Sequence, residues 1–361
     1  MSQVSRRSFI ASAPAAAAAA REPVVLNPVT VSEVRSQADP IRIATQFRFE
    51  PNEIEQIRAA APGTGVELKV CGSREEYREA LKTAEVVYGN VTGADLDSAP
   101  RLKWVQAGGA GIEGLDQKFI ESPVVLTNYA RTFAPGISET AIGMLLCLTR
   151  GITKYYVPQF QKREWKPVGG PKSAAHTELV GRTMGIVGMG GIGSAIARRA
   201  YYGFDMKIVA TDAKPISKPE YVAELHEPAW FPKMVPQVDV LVSAAPLTPQ
   251  TNRMFNETVF RSMKKTAYFL GMSRGRLFDD MALVKALKEG WIAGAGLDVF
   301  PQEPPPSSHP IFDCPNVVMT MHTSGWSPDR QVRLIELFAE NVRRYAAGEP
   351  LINVVDKRRG Y

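Results

Sequence analysis

Short apolar, β-branched runs recur along this chain, and the stretches between them carry apolar residues at three- and four-residue spacing. In the first part the runs cover 41–47, 66–70, 85–88, 102–105 and 124–127 and read as strands. Helical patterns fill 53–61 and 74–83, and an apolar stretch over 138–160 predicts one long helix closing this unit. From about residue 178 the alternation starts again, with strands expected at 183–187, 207–211, 238–243, 267–270, 292–299 and 317–320. Helices are expected at 194–202, 256–263 and 280–289, and a last one at 329–347. Strands alternating with helices build a parallel sheet covered on both faces. The fold class is therefore α/β with two doubly wound parallel-sheet domains. The last helix can return to the first unit. Residues 151–320 then form a unit inserted into another made of 41–150 and 321–355. Ligands of such sheets bind outside the carboxyl ends of the strands, here in the cleft between the units.

One turn in the second unit carries a specific signal. Gly188-Met189-Gly190-Gly191-Ile192-Gly193 follows the 183–187 strand and opens into a helix. Gly188 permits a tight turn, Gly190 lets backbone approach a pyrophosphate, and Gly193 lets helix and strand pack closely. Gly191 and Ile192 bring the free N–H groups of a helix N-terminus to the same place. Asp212 ends the next strand, 19 residues past Gly193, where a ribose diol needs an acceptor. This is a dinucleotide site. A carboxylate there accepts hydrogen bonds from a diol and repels a 2′-phosphate, which favours NAD over NADP. Lys214, two residues on, works against that preference.

The chain has 361 residues, 45% hydrophobic and 22% charged, an ordinary globular balance with room for two cores. Its net charge of +6 forms no stripe for nucleic acid: Arg6, Arg7 and Arg21 lie in the N-terminal tail, and Lys357, Arg358 and Arg359 near the C-terminus. Cys71, Cys147 and Cys314 show neither disulfide nor metal-ligand spacing. Residues 1–21 are set apart. Ser5-Arg6-Arg7-Ser8-Phe9-Ile10 and the alanine-rich stretch to Ala20 read as a twin-arginine export signal, giving a periplasmic protein, or as a disordered tail on a cytoplasmic one. The stretch is too weakly apolar to span a membrane.

Among the four histidines, His322 stands out. It follows the 317–320 strand and begins the small-residue turn Thr323-Ser324-Gly325, at a strand's carboxyl end. An imidazole can give and take a proton near neutrality, as interconverting a carbonyl and an alcohol requires. Arg274 lies in Gly271-Met272-Ser273-Arg274-Gly275, again past a strand. Its planar fork suits a bidentate grip on a carboxylate. Glu303 lies past the strand that ends at Val299, and a carboxylate on the second imidazole nitrogen would orient the ring and favour its proton-bearing form. Trp326 reads equally well as a pocket wall and as packing.

These elements together resemble the D-isomer-specific 2-hydroxyacid dehydrogenase family over 41–355. Arg274-Gly275, Leu297 to Pro304 and His322 to Gly325 look like its three catalytic elements, with 29 residues from Arg274 to Glu303 and 19 from Glu303 to His322. Gly108-Gly109-Ala110-Gly111-Ile112-Glu113 looks like its substrate-carboxylate loop, and Pro246 to Thr251 like the loop beside its coenzyme. The resemblance implies a Rossmann NAD-binding domain inserted into a flavodoxin-like substrate domain. It implies hydride transfer between NAD and a small 2-oxo or 2-hydroxy acid, with His322 as acid and base, Glu303 as its partner and Arg274 on the carboxylate. It also implies substrate contacts at Gly109 and Ala110, coenzyme contacts at Ala245, Pro246, Thr251, Met272 and Asp298, and a homodimer. Two other readings remain: a coenzyme-sensing scaffold of the same fold, and a relative acting on phosphoglycerate or phosphite.

Overall fold

The computed structural model describes residues 39–170 and 176–361. The twin-arginine reading of residues 1–21 lies outside the described residues. Among the described residues, twelve strands form two sheets. The first contains β1 (Ile41–Thr45), β2 (Val66–Val70), β3 (Val86–Tyr88), β4 (Trp104–Gln106) and β5 (Val125–Thr127), all parallel, in the order β2-β1-β3-β4-β5. The second contains β6 (Thr183–Val187), β7 (Lys207–Thr211), β8 (Glu224–His226), β9 (Val240–Ser243), β10 (Tyr268–Gly271), β11 (Gly294–Leu297) and β12 (Val317–Met319). These too are all parallel, in the order β12-β11-β10-β9-β6-β7-β8. The first order is the flavodoxin-like one and the second is the Rossmann order extended by a strand. The central strands of both sheets are buried on two faces, which explains why strands such as 240–243 read as nearly continuous apolar runs.

The 20-residue helix Pro328–Ala347 returns to the first sheet, as its place in the sequence implied. Ser327 caps its start by accepting from the Arg330 amide, and Gly348 at φ +68° ends it in the left-handed conformation. Its buried stripe of Leu334, Ile335, Phe338, Val342 and Tyr345 packs on Ile41, Ile43 and Trp104. The Phe338 ring is fully buried, edge-on to Tyr88 at 4.8 Å. Phe338→Ala is expected to cost about 3–5 kcal/mol. That lowers the melting temperature by roughly 10 °C, to be read by calorimetry.

The structure differs from the sequence expectation in the helix after β5 and at the edge of the second sheet. The helix expected over 138–160 is Ala134–Thr149, followed after a break by a π-helical turn, Ile152–Tyr156, and the short helix Val157–Gln161. Gly151 sits at φ +64°, a conformation glycine adopts freely and a helix cannot continue through. Moreover, the helix Ala134–Thr149 packs on the second sheet rather than closing the first unit. Ala141, Met144 and Leu145 join Met184, Ile186 and Leu270 in one core. The chain therefore crosses between the cores ahead of Ala134, not at residue 150. The edge strand β8 carries a half-exposed Glu-Leu-His that shows no strand pattern in the sequence.

Candidate active site

The sheet order reverses between β6 and β9, which opens a crevice at their carboxyl ends. Register brings Val187 level with Thr211 on one side and Ser243 on the other, so Gly188, Asp212 and Ala244 leave the sheet together. Gly188 has φ +94°, and a Cβ there would lie 2.8 Å from the Ala245 backbone. A Cβ on Gly193 would lie 1.9 Å from the Gly188 carbonyl oxygen, so only glycine lets the helix Gly191–Phe204 start this close to β6. At Gly190 an added Cβ would meet nothing within 4 Å. Backbone there is open, beside a helix N-terminus whose N–H groups and dipole suit an anion. These residues fit a dinucleotide.

Asp212 does more than end a strand. Its Oδ2 accepts from the Met189 amide at 2.7 Å and its Oδ1 from the Lys214 amide at 2.7 Å, so the carboxylate also fixes the glycine turn. Lys214 lies beside it, its ammonium 4.7 Å from the ring centre of Tyr361. Burial pulls the Lys214 ammonium below the usual lysine range, against the opposing pull of Asp212 and Asp356. On the loop after β9, the Thr251 hydroxyl donates to the Pro246 carbonyl at 2.7 Å and closes the turn on itself. Met272 is buried, its amide donating to the Ser243 carbonyl.

The three candidate catalytic side chains come from adjacent strands. Gly271 of β10 is level with Leu297 of β11, and Leu297 with Met319 of β12. Arg274, Glu303 and His322 all follow within a few residues of those ends. His322 Nδ1 donates to Glu303 Oε2 at 2.7 Å, while Glu303 Oε1 accepts from the Phe300 amide at 2.8 Å. The carboxylate can only accept, so Nδ1 carries the proton. Nε2 is left as the atom for proton exchange with a ligand. His322 sits at φ +55°, a conformation that costs a non-glycine residue on the order of 1 kcal/mol.

Asp298 holds it there. Only 3% exposed, its carboxylate accepts from the Thr320 hydroxyl at 2.6 Å, from the Thr323 and Ser324 amides at 3.1 Å each, and from the Ser324 hydroxyl. The His322 amide donates to the Asp298 carbonyl at 2.7 Å. Expected from the sequence beside the coenzyme, Asp298 is committed to the turn that carries His322. Gly275 explains the Arg-Gly pair: a Cβ there would lie 1.9 Å from the Phe300 carbonyl carbon, so Arg274 and the Glu303 loop share close backbone contact.

Across the cleft, the amides of Gly108, Gly109 and Ala110 donate to no described residue. The Ala110 carbonyl is held by the Asn128 side chain at 2.7 Å and the Gly109 carbonyl by the Tyr129 amide at 3.0 Å, which fixes the loop. Two residues without a role in the sequence reading also lie here. Glu113 pairs with Arg274 at 2.7 Å, and the backbone of Arg131, at φ +74°, lies against Gly191 at the start of the Rossmann helix. Glu113 closes the glycine loop quoted from the sequence, but neither its pairing with Arg274 nor the place of Arg131 was legible there, because both contacts join separate units.

Residues 142–324 match the profile described as D-isomer specific 2-hydroxyacid dehydrogenase, NAD binding domain. The chain is 36% identical to the glyoxylate reductase of Korarchaeum cryptofilum over 266 residues, 73% of this chain and 78% of that protein. The chain belongs to the D-isomer specific 2-hydroxyacid dehydrogenase family. A glyoxylate reductase of Pyrococcus horikoshii is likewise 36% identical, over 83% of this chain and 93% of its own length. The solved structure of the NADPH-dependent glyoxylate/hydroxypyruvate reductase of Sinorhizobium meliloti, in complex with NADP and sulfate, is similar with a TM-score of 0.73 and 27% identity, covering 90% of this chain and all of that one. As a dehydrogenase of this family, the protein is an NAD(P)-dependent oxidoreductase of 2-hydroxy acids.

Proposed function

We propose that this dehydrogenase reduces a short 2-oxo acid, glyoxylate first among them, with NADH, and oxidises the corresponding D-2-hydroxy acid in reverse. The observation that carries this reading is the His322–Glu303 pair at 2.7 Å on the loops that also present Arg274. Arg274 and the free amides of Gly108, Gly109 and Ala110 grip the substrate carboxylate from both sides of the cleft. Bound coenzyme, held at the Gly188 to Gly193 turn, supplies the hydride. As C2 is reduced, negative charge develops on the carbonyl oxygen, and His322 Nε2 delivers a proton to it. Glu303 stabilises the imidazole while it is charged, and Arg274 stabilises the same oxygen more strongly in the transition state than in the ground state. In the oxidation direction neutral His322 takes the proton back. A panel of short 2-oxo acids with NADH and NADPH tests this; absence of turnover on all of them would remove the proposal.

The preference for NADH rests on Asp212. Its negative charge stands where a 2′-phosphate would come, although several relatives of solved structure are NADP complexes. Asp212→Ala is expected to shift the NADH to NADPH ratio of kcat/KM by about tenfold or more towards NADPH, the scale of one like-charge repulsion near a protein surface. An unchanged ratio would take Asp212 out of coenzyme selection.

A further inference from the structure

Arg274 is held by Glu113 on one edge of its guanidinium and by the Ser273 carbonyl at Nη1. Its Nε donates to Glu113 Oε1 at 2.7 Å and its Nη2 to Glu113 Oε2 at 3.4 Å, while Nη1 donates to the Ser273 carbonyl at 2.9 Å. A guanidinium has five N–H groups. Among the described residues these contacts leave one N–H on Nη1 and one on Nη2 uncommitted, the two that form the outer edge of the fork. Glu113 thus occupies the side edge and leaves the end edge for a second carboxylate. Glycine at 111 makes this possible: a Cβ there would lie 1.8 Å from Arg274 Nη2 and 2.4 Å from Glu113 Oε2. The loop with the free Gly108 to Ala110 amides therefore runs directly against the paired guanidinium.

We propose that Glu113 is the positioning residue for Arg274, as Glu303 is for His322, and that it stays in place when a 2-oxo acid binds. The substrate carboxylate is then taken end-on by Nη1 and Nη2. Glu113 belongs to the first sheet's unit and Arg274 to the second, so the fork gains its two-point anchor on Glu113 only when the two sides of the cleft meet. Domain closure and assembly of the carboxylate site become one event. The competing geometry is a Glu113 that stands in for the substrate carboxylate and must leave before substrate enters. The two make opposite predictions about affinity.

This inference rests on the proposed reductase activity. The test is steady-state kinetics of Glu113→Ala and Glu113→Gln with glyoxylate at saturating NADH, beside the wild type. Loss of the charged pair is expected to raise the glyoxylate KM of Glu113→Ala by about tenfold or more, the weight of a charge-assisted hydrogen bond. The effect on kcat should be smaller and the NADH KM should not move. Glu113→Gln, which keeps an acceptor for Nε, should recover part of the loss. A merely structural role would not give that split between KM values. A lower glyoxylate KM in Glu113→Ala would mean that Glu113 competes with substrate, and an unchanged KM would mean that it does nothing for Arg274; either overturns the proposal. If the wild type itself reduces no 2-oxo acid, the functional reading fails first and takes this one with it.

Discussion

His322→Ala is expected to lower kcat for 2-oxo acid reduction by a factor on the order of 10²–10⁴ while leaving coenzyme binding intact. The reason is that Nδ1 is engaged with Glu303, so Nε2 is the imidazole's one atom for proton delivery, and alanine supplies none. Water can replace the donor, but without a held position or a matched acidity. Because His322 lies at φ +55°, the alanine variant also carries some backbone strain, so its melting curve should be compared with that of the wild type. Coenzyme affinity is read separately by quenching of protein fluorescence on NADH titration. Turnover within a few-fold of wild type would exclude His322 as the acid.

Arg274→Lys should act on a different parameter. A lysine keeps the positive charge but presents one point of donors, so it cannot pair with Glu113 on one edge and a substrate carboxylate on the other. Losing one bidentate, charge-assisted contact is expected to raise the glyoxylate KM by roughly 100-fold. Some fall in kcat is expected to accompany it, because in the proposed mechanism the Arg274 charge also stabilises the oxygen that gains charge in the transition state. The contrast with His322→Ala separates binding from chemistry: one variant loses mainly affinity and the other mainly rate. A KM for glyoxylate equal to that of the wild type would remove Arg274 from the carboxylate site.

Much of the fold was legible because its signals are local. Strand positions 183–187 and 207–211 were read to the residue, since a buried parallel strand shows as a short, mostly apolar or β-branched run, here Thr-Met-Gly-Ile-Val and Lys-Ile-Val-Ala-Thr. The boundaries that drifted, such as 292–299 against the observed Gly294–Leu297, lie where buried residues such as Ile292 and Val299 continue on either side of the ladder. The helix break at Gly151 was missed because a single glycine in an apolar stretch is tolerated in many helices. Whether it ends one depends on what the following residues pack against.

The sequence by itself determined the alternation that builds two parallel sheets, the glycine turn with its acid at 212, and the short list of side chains able to move a proton or hold a carboxylate. All of these depend on residues within a few positions, or one strand-turn-helix unit, of each other. Which of the candidates meet was decided by strand register: β10, β11 and β12 lie side by side, so Arg274, Glu303 and His322 leave the sheet at one end. Tertiary structure alone turned Asp298 inward to brace the His322 turn, assigned the helix Ala134–Thr149 to the second core, and brought Glu113 across 161 residues to Arg274. Contacts of that kind are fixed by the packing of one unit against the other, and no local pattern of side chains encodes them.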